Sequence, residues 1–296
     1  MTEYSMMLPN FIIVGAPKAG TTSLYHYLSE HPQVFMSDPK EVNFFSAKEI
    51  LAQSLYYKAS IIHDEGDYQS LFKDADGKKA IGEGSVSYLF YPETPYRIKQ
   101  TLPDVKIIIL LRNPVERAFS HYLMDYRMGL VDISFEDIVY KKGVDKNLLL
   151  FYQQHIELGL YYEQVKRYLD IFGKKQVKVY LQDDLRCKGD AVIQDLYQFL
   201  GINDSYFPDV NREHNSFSMP RNKIIHRLYA SVFVRSVVAF FFRDALKEKV
   251  KGMLFERKKK PELMLATKEY LHEFYHDDVK KLEKLIGQDL SSWSKQ

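Results

Sequence analysis

Cysteine is almost missing from this chain: Cys187 is the only one in 296 residues. That excludes an intramolecular disulfide and any multi-cysteine metal site, and it fits a reducing compartment. The nine histidines show no H-E-x-x-H spacing, so no metal is expected. Neither sign of charge dominates, with 41 Lys and Arg against 39 Asp and Glu and a formal net charge of +2. A dedicated nucleic-acid binder is therefore not expected, although a local basic pocket is compatible with the balance. A long apolar run is also missing. The best candidate, "LYASVFVRSVVAFFF" at 228–242, is short for a bilayer span and is interrupted by Arg235. It reads as a buried C-terminal helix or as a surface helix making peripheral membrane contact. The opening "MTEYSMMLPN" has neither a basic n-region nor an apolar stretch. No signal peptide or anchor is expected, and the expected location is cytoplasmic.

What the sequence does contain is an alternation of short apolar runs and helical patterns. Strands are expected at Phe11–Val14, Val34–Met36, Ala80–Gly82, Lys106–Leu111 and Val177–Leu181. Helical patterns fall at 22–30, 92–101, 114–128, 134–141, 157–172 and 190–200, and helices dominate from about 220 onward. Strands separated by helices imply parallel pairing in a three-layer α/β/α sandwich. There is no repeat, low-complexity tract or clear linker. One domain is expected, with a parallel-sheet core at about 8–205 and a helical C-terminal part at about 220–293. In open α/β sheets ligands bind at the carboxyl ends of the strands, so residues just after strands carry the most information.

Three stretches stand out there. "GAPKAGTTSL" (15–24) sits between an apolar strand and a helix, the arrangement that points backbone N–H groups at an anion. A triphosphatase loop would have lysine directly after its last glycine. Here Thr21 and Thr22 follow Gly20, and Lys18 precedes it. In "KIIILLRNPVERAFSHY" (106–122), Arg112 follows the strand, while Asn113, Pro114 and Glu116 suit the N-cap, N1 and N3 of a helix. Arg112 and Ser120 fit a second phosphate site, or else an ion pair and a packing serine. In "SDPKEVNFFS" (37–46), Glu41 lies beside Lys40 and the pair Phe44–Phe45. A carboxylate near apolar surface suits a general base, and it equally suits a solvated loop.

Together, in this order, these stretches resemble the sulfotransferases that use 3′-phosphoadenosine 5′-phosphosulfate (PAPS), the heparan-sulfate and carbohydrate type in particular. "PKAGTTSL" resembles their 5′-phosphosulfate loop. "LRNPVERAFSHY" is similar to their 3′-phosphate motif, L-R-[DN]-P-x-x-R-x-x-S-x-Y. "KEVNFF" is similar to the K-E-x-x-[FY]-F segment that carries their catalytic glutamate. The resemblance runs from about residue 11 to 293 and implies a fold related to P-loop nucleotide kinases. It implies that Lys18 stabilises the leaving phosphate and that Glu41 takes the acceptor's proton. It also implies that Lys18, Ala19, Gly20, Thr21, Thr22 and Ser23 hold the 5′-phosphate, and that Arg112 and Ser120 hold the 3′-phosphate. The product would be 3′,5′-bisphosphoadenosine (PAP), with no metal involved. The acceptor would be a carbohydrate, glycolipid or small metabolite.

Two departures follow from the same comparison. Family members carry a lysine in an E-K-[ST]-x-x-Y-F segment; the matching run here is "GEGSVSYLF" (82–90), with Gly84 at that position. Lys40 is the candidate replacement cation. The late loop that closes over the 3′-phosphate is not plain either; "SFSMPRNK" (216–223) is the candidate, through Arg221 and Lys223. His214 is a candidate for the acceptor site. His31 reads as a residue ending the first helix, and His121 reads either way. Two other readings stay open, a small-molecule kinase with a degenerate P-loop and a non-catalytic nucleotide-binding protein. Oligomeric state is not legible.

Overall fold

A computed structural model describes residues 7–206, Pro208, 219–220, 255–256 and 261–294. Five strands form one parallel sheet: β1 (Phe11–Gly15), β2 (Val34–Met36), β3 (Ala80–Gly84), β4 (Lys106–Leu111) and β5 (Val177–Leu181), in the order β2-β3-β1-β4-β5. Every pairing in this sheet is parallel. The central strands β1 and, after Lys106, β4 are apolar because helices cover both faces. Phe11, Ile12, Ile13 and Val14 pack with Ile107 to Leu111 at the centre of the core. The β1–β4 register shifts between Ile13 and Gly15, where the chain leaves the sheet for the loop that follows.

All five expected strands are present, and β3 runs two residues further than expected. The helices α1 (Thr21–Ser29), α4 (Thr94–Thr101), α5 (Pro114–Arg127), α6 (Phe135–Val139), α8 (Tyr161–Phe172) and α10 (Gly189–Leu200) match the six patterns. The stretch at 157–172 divides into a short 3-10 turn at Glu157–Gly159 and then α8. Four helices were not anticipated: α2 (Ala47–Gln53), α3 (Glu65–Ser70), α7 (Leu148–His155) and α9 (Gln182–Cys187). Met219–Pro220 (β6) and Phe255–Glu256 (β7) pair antiparallel.

The C-terminal part contributes α11 (Leu265–Ile286) and α12 (Ser291–Ser294), and both pack back onto the core. The Asp278 carboxylate accepts hydrogen bonds from the backbone N–H groups of Tyr161 (2.8 Å) and Tyr162 (3.2 Å), so α11 caps the start of α8. Burial pushes the Asp278 carboxyl up to about 6, against those bonds. Gln288 Nε2 donates to the Val179 carbonyl (2.9 Å) and satisfies part of the edge of β5. No described helix is long and apolar enough to cross a membrane. The segment 228–242 lies outside the described residues, as do His214, Arg221 and Lys223.

Candidate active site

The carboxyl ends of the strands open onto one cavity of about 1040 Å³. Its floor is the loop between β1 and α1. Gly20 occupies the N-cap position of α1 with φ 98°, a left-handed conformation that favours glycine. The backbone angle, not space, is what favours glycine, since a Cβ there would meet Leu110 and Gln182 only at ordinary contact distance. No side chain caps α1. The first-turn N–H groups of Thr21, Thr22 and Ser23 thus lack an intrahelical partner at the cavity wall, an arrangement that favours negative charge there.

Lys18 lies in the same loop with φ 66°. Its Nζ sits 3.3 Å from Met124 Sδ on α5. Burial, then the neighbouring Arg127, pushes its ammonium down to about 8, with Asp125 opposing them. Arg112, just beyond β4, donates from Nη1 to the Lys18 carbonyl (3.3 Å) and from Nη2 to Glu116 Oε2 (2.9 Å). Asn113 caps α5, accepting from the N–H groups of Val115 (3.0 Å) and Glu116 (3.4 Å). Glu116 is thus turned to Arg112. Ser120 lies two turns into α5, partly buried on the cavity wall.

Glu41 enters from the loop after β2, also with φ 66°. With Asn43 (φ 54°), three non-glycine residues at the cavity are held in this sparsely populated region, and they mark a backbone fixed by its surroundings. The surroundings are visible. The Glu41 N–H donates to the Gly84 carbonyl (2.9 Å), and the Asn43 side chain ties the loop to Ser60 and Ser87. Phe45 is buried, and Phe44 stacks on Tyr68 with ring centroids 4.3 Å apart. Glu41 Oε2 accepts from the Val86 N–H (2.9 Å), while Oε1 is ion-paired with Lys40. The carboxylate is thereby oriented and remains one-third exposed to the cavity.

The structure therefore brings Lys18, Gly20, Thr21, Thr22, Ser23, Lys40, Glu41, Arg112 and Ser120 to one cavity. Ala19 is the exception; it is fully buried in the core and does not line the wall. His31 lies two residues past the end of α1 and is buried, with Nε2 at 2.9 Å from the Asn203 carbonyl and Nδ1 accepting from the Gln33 N–H. His121 also lines the cavity but is almost wholly buried. Burial pushes its imidazole down to about 3, and Nδ1 lies 3.0 Å from the Gln154 carbonyl.

Several wall residues were not singled out in the sequence. Tyr56 and Tyr57 come from the loop between α2 and α3, and Asp125 comes from α5. Gln182 begins α9 directly after β5, so the rule about carboxyl ends of strands would have found it. Arg117 is fully buried and donates to the carbonyls of Gln154 (3.3 Å) and His155, at the C-terminus of α7. A guanidinium there satisfies orphan carbonyls and meets the negative end of the helix dipole.

Among the described residues, no group of three or more His, Cys, Asp or Glu side chains is placed to hold a metal ion.

The family model of the sulfotransferase domain matches residues 8–285. A sulfotransferase from Alicyclobacillus acidocaldarius, known from a crystal structure, is 34% identical, with 98% of this chain and 100% of that chain covered and a TM-score of 0.72. The membrane-associated sulfotransferase kil1 of Dictyostelium discoideum is 25% identical over 75% of this chain and 60% of its own length. The human bifunctional heparan sulfate N-deacetylase/N-sulfotransferase 3 is 23% identical over 98% of this chain. The chain spans 31% of that protein, and so matches only part of these two curated relatives.

Proposed function

The chain belongs to the sulfotransferase family, and from that premise we propose that it moves a sulfuryl group from PAPS to a hydroxyl or amine of an acceptor by in-line displacement. The observation that carries this reading is the convergence of Lys18, Glu41, the first turn of α1 and the Arg112–Ser120 pair on one cavity. The α1 N-terminus suits the 5′-phosphate, and Arg112 with Ser120 suits the 3′-phosphate, where an arginine fork gives charge-assisted bonds. The acceptor heteroatom attacks sulfur as the bond from sulfur to the phosphate oxygen breaks. The electron pair of that bond stays on the phosphate. Lys18 stabilises this growing charge, an interaction stronger in the transition state than in the ground state. The proton leaves the acceptor for Glu41, which Val86 and Lys40 hold in place.

The whole chain is read as one sulfotransferase domain, acting in the cytoplasm. Tyr56 and Tyr57, half-buried residues of the cavity lining, suit contact with a sugar ring or another apolar acceptor surface. A carbohydrate, glycolipid or small metabolite fits that wall, and the heparan sulfate named for one relative belongs to the first class. A screen of acceptors with labelled PAPS, read by mass spectrometry, identifies it. For 228–242, flotation with anionic liposomes tests membrane contact; protein remaining at the bottom of the gradient at low salt ends that idea.

The decisive test of the reading is calorimetry with PAP and AMP. PAP binds far more tightly than AMP, without Mg²⁺, because only PAP carries a 3′-phosphate for Arg112. Equal affinities would refute the reading and return the kinase-like and non-catalytic alternatives.

A further inference from the structure

The loop between α2 and α3, residues 54–64, contains neither helix nor strand, yet Tyr56 to Ser60 all line the cavity. A wall made of irregular chain needs fastening, because an untied loop opens at little cost. At one end the ties go to the segment that carries Glu41. Asn43 Nδ2 donates to the Ser60 carbonyl (2.8 Å), and the Ile62 N–H donates to the Val42 carbonyl (3.1 Å). At the other end the tie is one side chain. The Tyr56 hydroxyl donates to Asp125 Oδ2 on α5 at 2.5 Å, and its ring meets that of Phe151 on α7 edge-on, with centroids 4.6 Å apart. Among the described residues, 54–59 make one further side-chain hydrogen bond, from the Tyr57 hydroxyl to Gln154 Oε1 at 3.5 Å, a long one.

Asp125 is itself firmly held. It is only 2% exposed, and a carboxylate so buried is costly unless it is hydrogen-bonded. His155 Nε2 on α7 stands 2.9 Å from the oxygen that Tyr56 uses. Arg117, His121 and Asp125 recur at four-residue spacing on α5, so they share a face, and that face meets the end of α7. Arg117 donates to the carbonyls of Gln154 (3.3 Å) and His155, and His121 Nδ1 lies 3.0 Å from the Gln154 carbonyl. The residues one position before His121 and Asp125, Ser120 and Met124, line the cavity, where Lys18 Nζ rests 3.3 Å from Met124 Sδ. One helix therefore carries Ser120 and Met124 at the cavity wall and, one step round, the anchor of the loop.

We propose that the Tyr56–Asp125 hydrogen bond is the clasp that fixes the α2–α3 loop to α5, which makes Tyr56 and Asp125 positioning residues for the acceptor-facing wall of the cavity. This rests on reading the cavity as a sulfotransferase site, and calorimetry with PAP on the intact wild type tests that reading separately. The clasp is read with trypsin, for which Lys58 is an exposed site within the loop. Tyr56→Phe keeps the ring beside Phe151 and loses the hydroxyl. Cleavage after Lys58 in the native protein, quantified by mass spectrometry at early times, rises about tenfold, because the cut tracks how often the loop opens. PAP affinity is unchanged. Asp125→Asn, which keeps an oxygen toward the hydroxyl but no charge, shows a smaller rise and serves alone if Tyr56→Phe lacks a cooperative melt. Transfer from labelled PAPS is followed to three probes, N-desulfated heparin, galactosylceramide and 2-naphthol, one for each acceptor class above. Tyr56→Phe raises KM about tenfold for the probe that takes up label and leaves kcat unchanged. A folded Tyr56→Phe protein cut after Lys58 no faster than wild type overturns the inference. So do faster cuts along the whole chain, or a loss of kcat and PAP affinity at constant KM, which mark a merely structural role. Label on none of the three probes, with PAP bound, overturns it as well. A wild type that binds no PAP refutes the reading of the cavity instead.

Discussion

Arg112 Nη2 lies 2.9 Å from Glu116 Oε2, one helical turn along the chain, so the guanidinium read as the 3′-phosphate anchor is held by a carboxylate in this structure. The Arg112 side chain is 16% exposed and that of Glu116 60%, so this pair is half open to water and worth at most about 1 kcal/mol. A 3′-phosphate in the same place gains the guanidinium at small cost but meets the negative charge of Glu116.

Two opposite effects on PAP binding are therefore expected. Arg112→Ala removes most of the preference for PAP over AMP and leaves the weak AMP affinity almost unchanged. Glu116→Gln strengthens PAP binding by roughly two- to fivefold, the inverse of a weak ion pair's cost, and the gain fades at high salt. Calorimetry at two salt concentrations reads both. A Glu116→Gln protein that binds PAP more weakly would show that Glu116 orients Arg112 instead of competing for it.

Glu41→Gln retains the shape of the side chain and an oxygen for the Val86 N–H, but it cannot accept a proton. Loss of a general base costs on the order of 10²–10⁴-fold in rate. A fall of that size in kcat with unchanged PAP affinity is expected in single-turnover transfer from labelled PAPS. Turnover close to wild type would move the base elsewhere. His121 is a poor successor, because its ring is buried with Nδ1 at the Gln154 carbonyl.

Why the sheet could be read from sequence and parts of the wall could not follows from particular residues. Phe11–Val14 and Ile107–Leu111 are continuous apolar runs because they are buried on both faces, and that pattern needs no tertiary context. Asn113 and Pro114 announce α5 by local chemistry alone. Tyr56 and Asp125 are 69 positions apart and meet only because the α2–α3 loop folds across α5. No local period or cap encodes such a pairing. Helix α2 is also short, seven residues, with only Ala47 and Ile50 buried, too few for a helical period to show. Arg117 was legible as a motif residue. Its place at the end of α7 was not, because α7 itself was not anticipated.

Glu83, on β3, gives the fold a pH dependence of its own. It is fully buried, and burial pushes its carboxyl up to about 8, with Glu41 adding to the effect and Tyr88 opposing it. The folded state thus keeps this proton where the unfolded chain has lost it. From about the usual glutamate value upward the unfolded state binds fewer protons, so stability falls as pH rises, levelling off above about 8. Glu83→Gln removes that slope. Relative to wild type the variant gains stability between pH 6 and 8.5, on the order of a few kcal/mol, or roughly 5 °C in Tm at the upper end. Thermal melts across that range check it, and parallel curves for the two proteins would mean that Glu83 is ionised in the fold.

The last prediction concerns Lys40 and Gly84. The family pattern that the sequence resembles has a lysine at the position of Gly84, at the end of β3. A Cβ built on Gly84 would lie 3.7 Å from Lys40 Cε, an ordinary contact, with Ile13 and Tyr25 at the same distance. The space beside Gly84 is thus already taken by the stem of a lysine that arrives from the neighbouring loop. Lys40 reaches the cavity from there and is paired with Glu41. If Lys40 supplies the second cation, Lys40→Ala lowers transfer by on the order of 10²-fold, the usual cost of losing one group that stabilises transition-state charge. Gly84→Ala is tolerated, since its Cβ meets nothing closer than 3.7 Å. Gly84→Lys in the wild-type background crowds Lys40 and destabilises the fold by about 1–3 kcal/mol. Placed together, Lys40→Ala and Gly84→Lys relieve each other: the crowding goes, and a lysine stem again fills the space beside residue 84. The double variant therefore melts close to wild type and recovers about tenfold of the rate lost in Lys40→Ala. A double variant as slow as Lys40→Ala, yet as stable as wild type, would show that the two lysine positions are not interchangeable and that Lys40 serves only to hold Glu41.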